Sequence, residues 1–339
     1  MHTEMSQMFF DPRGKGIARY DIARYPVFSK LNKHMRSLFW EPEAITMAME
    51  RSNFNRLSDA EQFVFTRNIQ RQIVLDTEQG RAPIAVFGPS CTDPILENCL
   101  TTWQFFESIH SESYTHIMRS VYPNPSAIVD QIPEIPQISA CAHDINAVYD
   151  RMIESPNKEN LYLALIAANA LEALRFYVSF GFTFNLGQRK LIKGSADIVK
   201  LIARDETQHK ALSQHILKIL PRDDPEFVSI IADNRDRARA IFRSAADQEK
   251  TWCEYAFSSG PILGLTERLM NDEIDYLENQ QINQLGLTDK PVKIASPLFF
   301  MKDWLSNSSV QAAPQETDVP AYLSATSLSD DLDGFVPDF

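Results

Sequence analysis

Residues 103–114 read WQFFESIHSESY and residues 202–209 read IARDETQH, and each stretch contains Glu-x-x-His: Glu107-Ser108-Ile109-His110 and Glu206-Thr207-Gln208-His209. Residues three apart on a helix share a face, so each pair presents a carboxylate and an imidazole to one point. Upstream of each stands a lone carboxylate in an apolar or small-residue setting: Asp76 in QIVLDTEQG, 31 positions before Glu107, and Glu172 in NALEALRF, 34 positions before Glu206. Each interval holds the rest of one helix, a turn and part of the next. An antiparallel hairpin therefore brings its two members to one level. The chain reads as two similar helix pairs, each delivering two carboxylates and one histidine to the centre of a bundle.

That ligand set is the one dinuclear carboxylate bundles use, with Asp76 in place of one Glu. Four carboxylates carry about −4, which two divalent ions neutralise; without cations they would repel and be driven to protonate. Carboxylate and imidazole donors suit iron or manganese. A single Glu-x-x-His is commonly a solvated helix face, and Glu172 alone could be a buried partner of Arg175, three residues on. Two motifs with upstream carboxylates at matching intervals are harder to reach by chance. Tyr114 stands one turn past His110 on the same face. It reads either as a core tyrosine bound to a ligand carboxylate or as a tyrosine that the centre oxidises. Phe176, Phe180 and Ile202 fall where they would wall the centre, and Trp103, four before Glu107, falls beside its ligands. His116 and His215 are turned to other faces, and His2, His34 and His143 show no ligand spacing.

The rest of the chain fits an all-helical protein. Its 339 residues suffice for one large core. A net charge of −12 argues against a bare nucleic-acid binder. Cys91, Cys99, Cys141 and Cys253 have no CxxC spacing, so neither a zinc site nor a disulfide framework is expected, and a reducing cytoplasm is. MHTEMSQMFF shows no signal-peptide pattern. Leu161 to Leu186 is long enough to span a membrane, but Glu172 and Arg175 near its centre point to the buried helix of a soluble bundle. The box Ser58-x-x-Glu61 predicts a helix from Asp59 to about Gly80. Asp93-Pro94 predicts another, reaching about Tyr122. Further helices are predicted from Ser139 to Glu154, from an Asn157 cap to near Lys193-Gly194, from Ser195 to Leu220, from about Pro225 to Phe257, and from Leu265 to Gln284. No run of strands stands out. Residues 1–304 are expected to form the helical domain. Residues 305–339, rich in Ser, Asp and Pro, are expected to be a mostly disordered acidic tail. Tyr322, Leu323, Leu328, Phe335 and Phe339 would be its apolar anchors on a partner.

The stretches QIVLDTEQGRAP, TWQFFESIHSESYTHI, NALEALRFYVSF and LIARDETQH resemble, in order, spacing and content, the class I ribonucleotide reductase small (beta) subunit. The likeness runs from ARYDIARYPVFSKL near the start to VQAAPQETDVPAYL near the end. It implies a ferritin-like helical bundle with a dinuclear metal site in its core. Asp76, Glu107 and His110 would hold one metal, and Glu172, Glu206 and His209 the other. Two iron ions per chain are implied, with manganese as the alternative. The resemblance makes Tyr114 the radical tyrosine of the tyrosyl-radical type and Trp40, in SLFWEPE, an electron relay. Asp205 would link Trp40 to His110, Tyr322 would pass the radical to the large (alpha) subunit, and Glu316 matches a tail glutamate. The implied activity uses dioxygen to generate the radical by which ribonucleoside diphosphates are reduced to deoxyribonucleotides for DNA synthesis. The implied partners are the large subunit, a second copy in a homodimer and an electron donor, with no nucleic acid and no membrane. Some members carry an insertion before the Glu172 helix; here only a few residues around Ser155-Pro156-Asn157 make that connection, so no hairpin is expected there. A stand-alone di-metal oxidase or oxygenase and a metal-storage bundle are the alternatives. The first has no use for Tyr322 on an acidic tail, and the second needs neither Tyr114 nor a Trp40–Asp205 relay.

Overall fold

The computed structural model describes residues 3–306. His2, Glu316 and Tyr322 lie outside the described residues, as does nearly all of the expected tail. The helices of twelve or more residues are α1 (Pro26–Ser37), α2 (Asp59–Gln79), α3 (Pro94–Val121), α4 (Pro136–Glu154), α5 (Lys158–Gln188), α6 (Lys193–Asp223), α7 (Arg235–Phe257) and α8 (Glu267–Gln284). Among the described residues only two isolated bridges, Phe9 with Cys91 and Ile262 with Leu265, have strand-like pairing. The fold is the all-α bundle that the spacing of the motifs demands.

The helix starts follow capping chemistry. The Ser58 side chain accepts from the Glu61 N–H while Glu61 reaches back to the Ser58 N–H, closing the expected box at the head of α2. Asp93 accepts from Ile95 and Leu96 at the head of α3, with Pro94 at the first position. Asn157 caps α5 directly after α4, leaving no hairpin between them. The head of α6 works differently. Its preceding residue, Ile192, is left-handed at φ 40°, and the cap comes from Glu50, far away in sequence. Glu50 accepts from Gly194 N at 2.8 Å and Ser195 N at 3.1 Å. A side chain at Gly194 would put a Cβ 2.7 Å from the Thr46 carbonyl oxygen, so only glycine fits there.

Several boundaries differ from expectation. α4 begins at Pro136 rather than Ser139, because a proline at the first helical position needs no N–H partner. The apolar helix stops at Gln188, short of Lys193-Gly194, where Lys190 and Ile192 take positive φ and turn the chain. α6 starts at Lys193 and runs through Pro221 to Asp223. The single helix expected from Pro225 to Phe257 is two, Glu226–Asp233 and α7. They part at Asn234, whose side chain donates to the Ile230 carbonyl at 2.9 Å and so competes with the helical ladder. α1, which the periodicity did not announce, packs against α3.

α5 is the axis of the molecule. It is long and apolar enough to cross a membrane, yet the apolar stretch is wholly buried inside the chain. Every residue from Leu161 to Gly187 is buried. α2 with α3 and α5 with α6 form the two expected helix pairs, and α4 and α7 cover α2 and α5 from outside. Within α5, Leu171–Arg175 forms a π-helical turn. Such turns add a residue to the ladder and re-aim the side chains around it. Arg175 is held off by α7: its guanidinium reaches Glu249 Oε1 at 3.3 Å and Gln248 Oε1 at 2.7 Å. Arg71 of α2 pairs with the same Glu249 oxygen and lies over the Trp252 ring at 4.9 Å. Arg175 is thus committed to α7, not to Glu172, whose burial needs another explanation.

One carboxylate therefore serves as the ion-pair partner of two buried guanidinium groups. Glu249→Leu should cost about 3–5 kcal/mol of unfolding free energy, because both cations stay buried without a counter-charge. Urea unfolding checks this. A loss under about 1 kcal/mol, the range of an exposed pair, would show that the charges are not isolated from solvent.

Candidate metal centre

α2, α3, α5 and α6 place Asp76, Glu107, His110, Glu172, Glu206 and His209 in one fully buried cluster. Their donor atoms fall into two groups that could each hold an ion. One is Asp76, Glu107, His110 and Glu206; the other is Glu107, Glu172, Glu206 and His209. This refines the expected division of three ligands per metal. Glu107 and Glu206 belong to both groups, and Asp76, His110, Glu172 and His209 each belong to one. Two carboxylates shared between two positions is the geometry of bridging ligands. His110 Nδ1 lies 3.5 Å from Asp76 Oδ1, 3.4 Å from Glu107 Oε2 and 3.2 Å from Glu206 Oε1. His209 Nδ1 lies 2.8 Å from Glu206 Oε2 and 3.0 Å from Glu107 Oε1.

Orphaned atoms test whether these residues fit metal ions. Both oxygens of Asp76, Glu107 Oε2, His110 Nδ1, Glu172 Oε2 and Glu206 Oε1 are buried with no hydrogen-bond partner. Buried acceptors are costly when unpaired, and these all face one another. Cations account for the arrangement, and the donor set of carboxylate oxygen and imidazole nitrogen is that of iron or manganese.

Without cations, protons do the work. Burial, and then the charge of Glu107, push Asp76 well above the usual carboxylate range. Burial, then Glu206 and Glu107, do the same to Glu172. Burial also opposes ionisation of Glu107, but His209 and His110 outweigh it and hold that carboxyl low. Glu206, raised by burial and by Glu107, is brought below its ordinary value chiefly by His110. Burial disfavours charge on both imidazoles, yet Glu206 leads in raising His110, and Glu107 leads in pushing His209 up to about 9. Asp76, Glu172 and both imidazoles are thus all shifted towards holding a proton within the cluster. Two divalent ions would displace those protons.

Other residues singled out in the sequence lie around the cluster. Asp205 Oδ2 accepts from Trp40 Nε1 at 2.7 Å and lies 3.3 Å from His110 Nε2. Burial raises the Asp205 carboxyl, but Arg204 leads the groups that bring it below its ordinary value. Asp205 therefore accepts from His110 Nε2–H, so that once a cation displaces the other ring proton Nδ1 is the nitrogen whose lone pair faces the cluster. The Tyr114 hydroxyl is buried with no hydrogen-bond partner, and burial followed by Asp76 pushes it well above the usual phenol range. Trp103 Nε1 donates to Glu107 Oε1 at 2.8 Å and to Glu172 Oε1 at 3.1 Å. Phe176, Phe180 and Ile202 are fully buried. A cleft of about 630 Å³ between α2 and α3 reaches Asp76 and Glu107 from the surface.

Three residues escaped the sequence reading. Arg204 grips Asp205 Oδ1 through Nε at 3.1 Å and Nη2 at 2.9 Å, and donates to the Leu38 carbonyl beside Trp40. Gln79 Nε2 donates to Glu172 Oε1 at 2.6 Å, and the Tyr149 hydroxyl donates to Gln79 Oε1 at 2.7 Å. Gln79 stands three residues after Asp76, a spacing that could have marked it. Tyr149 sits on α4, which carries no ligand and so gave no signal.

Residues 20–290 match the family described as ribonucleotide reductase, small chain. The chain is 37% identical over 348 residues to the ribonucleoside-diphosphate reductase subunit beta of Buchnera aphidicola subsp. Schizaphis graminum, covering 95% of this chain and 93% of that one. It is 37% identical over 365 residues to the subunit of the same name from Enterobacteria phage T4, covering 96% and 93%. The ribonucleotide reductase R2 subunit from Clostridium botulinum superposes with a TM-score of 0.82 over 89% of this chain and 94% of that one, at 24% identity, and so has the same fold.

Shared and terminal ligands should behave differently. Glu206→Ala, which strips a carboxylate from both groups, should abolish binding of both ions. Asp76→Ala should leave the second group occupied at about one ion per chain, as one metal's ligand set is intact. Metal analysis after anaerobic loading with ferrous iron decides this. Equal retention in both variants would contradict a shared Glu206.

Proposed function

The chain belongs to the family of ribonucleotide reductase small chains, and on that premise we propose that it is the radical-generating beta subunit of a ribonucleoside-diphosphate reductase, with a tyrosyl radical on Tyr114. The observation that carries this reading is the pair of four-residue groups sharing Glu107 and Glu206, with unpartnered atoms facing inward and the Tyr114 hydroxyl buried on the same helix as His110. Asp76, Glu107, His110, Glu172, Glu206 and His209 are the metal ligands. Two iron ions are the favoured occupants, and manganese suits the same donors. With metals bound and dioxygen present, the centre supplies the oxidising power that removes an electron from Tyr114.

The residues of the chain do the rest. The Tyr114 hydroxyl has no partner and no solvent, so a radical there would have nothing nearby to reduce it. Asp76, the carboxyl with the greatest influence on that hydroxyl, is the proposed acceptor of its proton. Asp205 holds the indole of Trp40 and the imidazole of His110 on one oxygen, Oδ2, giving an electron a bonded route from the cluster towards the surface segment that carries Trp40. Arg204 keeps Asp205 charged and so able to accept both N–H groups. The cleft between α2 and α3 is the natural approach for ions and dioxygen.

Residues 305–339 are proposed to be the tail that docks on the large subunit through its apolar anchors, with Tyr322 passing the radical across. Glu316 is proposed to lie on the same docking segment. A homodimer, an electron donor for the metal centre and a cytoplasmic setting complete the reading.

Two substitutions separate radical generation from radical transfer. Tyr114→Phe should keep two iron ions and lose the tyrosyl signal in electron spin resonance after addition of ferrous iron and air. A persisting signal would move the radical to another residue. Tyr322→Phe should keep the metals, the Tyr114 radical and binding to the large subunit, yet lose nucleotide reduction, since phenylalanine is far harder to oxidise. Turnover at the wild-type rate in deoxyribonucleotide assays would leave the tail as a tether only.

A further inference from the structure

Two N–H groups converge on a single oxygen of Glu172. Gln79 Nε2 donates to Oε1 at 2.6 Å and Trp103 Nε1 donates to the same atom at 3.1 Å, while Oε2 is buried without a partner. The Gln79 amide is itself constrained. Tyr149 donates to its carbonyl oxygen at 2.7 Å, which leaves only the NH₂ side for Glu172. Once a cation has displaced the Glu172 proton, the opposite flip would set a carbonyl oxygen against a carboxylate oxygen. Gln79, Trp103, Tyr149 and Glu172 are all buried, so water cannot substitute for a lost bond. Tyr149 is fixed in turn by the edge of Phe87 at 6.3 Å, and Phe87 stacks on Trp103 at 6.3 Å.

The two halves of the cluster are therefore supported differently. In the first, Asp76 has no hydrogen bond to either oxygen, and support comes through His110 from Asp205 and Trp40. In the second, Glu172 is held from outside by neutral donors, and the last of them stands on α4, which supplies no ligand. Glu172 also belongs to the π-helical turn Leu171–Arg175, where the regular ladder does not fix the direction of the side chain.

We propose that Tyr149 and Gln79 are positioning residues that commit Glu172 Oε2 to the second metal position, the one formed by Glu107, Glu172, Glu206 and His209. The proposal rests on the reading of the six residues as metal ligands. Tyr149 orients the amide, the amide and Trp103 occupy Oε1, and Oε2 is the atom left to bind. Affinity at the second position then depends on α4, and affinity at the first does not.

Anaerobic titration of the full chain with manganous ion tests this, with equilibrium dialysis for stoichiometry and electron spin resonance for the state of the ions. The wild type should bind two ions per chain, and the six-line signal of isolated manganese should give way to a coupled spectrum as the second enters. In Tyr149→Phe, which removes one oxygen and keeps the ring, and in Gln79→Leu, the first ion should bind as in the wild type. The second should bind about 10–100-fold more weakly, so the isolated six-line signal persists beyond one equivalent. Wild-type affinity for the second ion in both variants would overturn the proposal. So would equal weakening of both ions together with a lowered melting temperature, which would make the pair a packing element only. If the wild type itself failed to take up two ions, the ligand assignment would fall, and the variants would show that separately.

Discussion

Four buried carboxyl groups, gathered in two overlapping clusters whose donor atoms lie within 4.8 Å of one another, are the constraint on which the rest of this fold depends. Ionised and alone they would be driven apart or protonated. They stay together because compensating charge is built in at the same level: two imidazoles one turn from two of the carboxylates, and places for two cations between them. Everything around the cluster keeps that compensation in register. α5 buries its whole circumference to deliver Glu172. Glu50 closes the head of α6, the helix that carries Asp205, Glu206 and His209. Glu249 draws Arg175 and Arg71 to α7, so neither guanidinium competes for the carboxylates.

Much of this was legible in the sequence because helical spacing is a rigid code. Residues three and four apart share a face, so Glu107 with His110 and Glu206 with His209 declare their faces without a structure. The intervals of 31 and 34 residues to Asp76 and Glu172 fix the hairpins. Local capping signals at Ser58, Asp93 and Asn157 set three helix starts correctly. What was not legible depends on contacts between residues far apart. The start of α6 is set by Glu50, 144 residues before Gly194. Asn234 breaks a helix that periodicity carried straight through. Sharing of Glu107 and Glu206 between two groups is a property of four helices at once, so the motifs gave the clustered residues and not their division into two groups. Tyr149 is the plainest case: its helix holds no ligand, and its part emerges only through Gln79, 70 positions away.

The environment of the cluster is asymmetric in a way that suits a centre whose two positions have different duties. Asp76 and His110 adjoin Tyr114 and connect through Asp205 to Trp40, so the first position faces the residues proposed to lose and relay electrons. Glu172 and His209 face Trp103, Gln79 and Tyr149, neutral groups that hold geometry. Under the proposed function, such division would let one side change its charge during electron transfer while the other keeps its shape.

The most direct measurement is an anomalous-difference map from crystals of the metal-loaded protein, collected at the absorption edge of the metal supplied. A dinuclear centre bridged by Glu107 and Glu206 requires two peaks per chain about 3.5–4 Å apart. One should be within bonding distance of Asp76 and His110, the other of Glu172 and His209, and both of the shared pair. A single peak, or peaks away from Glu107 and Glu206, would contradict the shared-carboxylate centre from which the radical chemistry is derived.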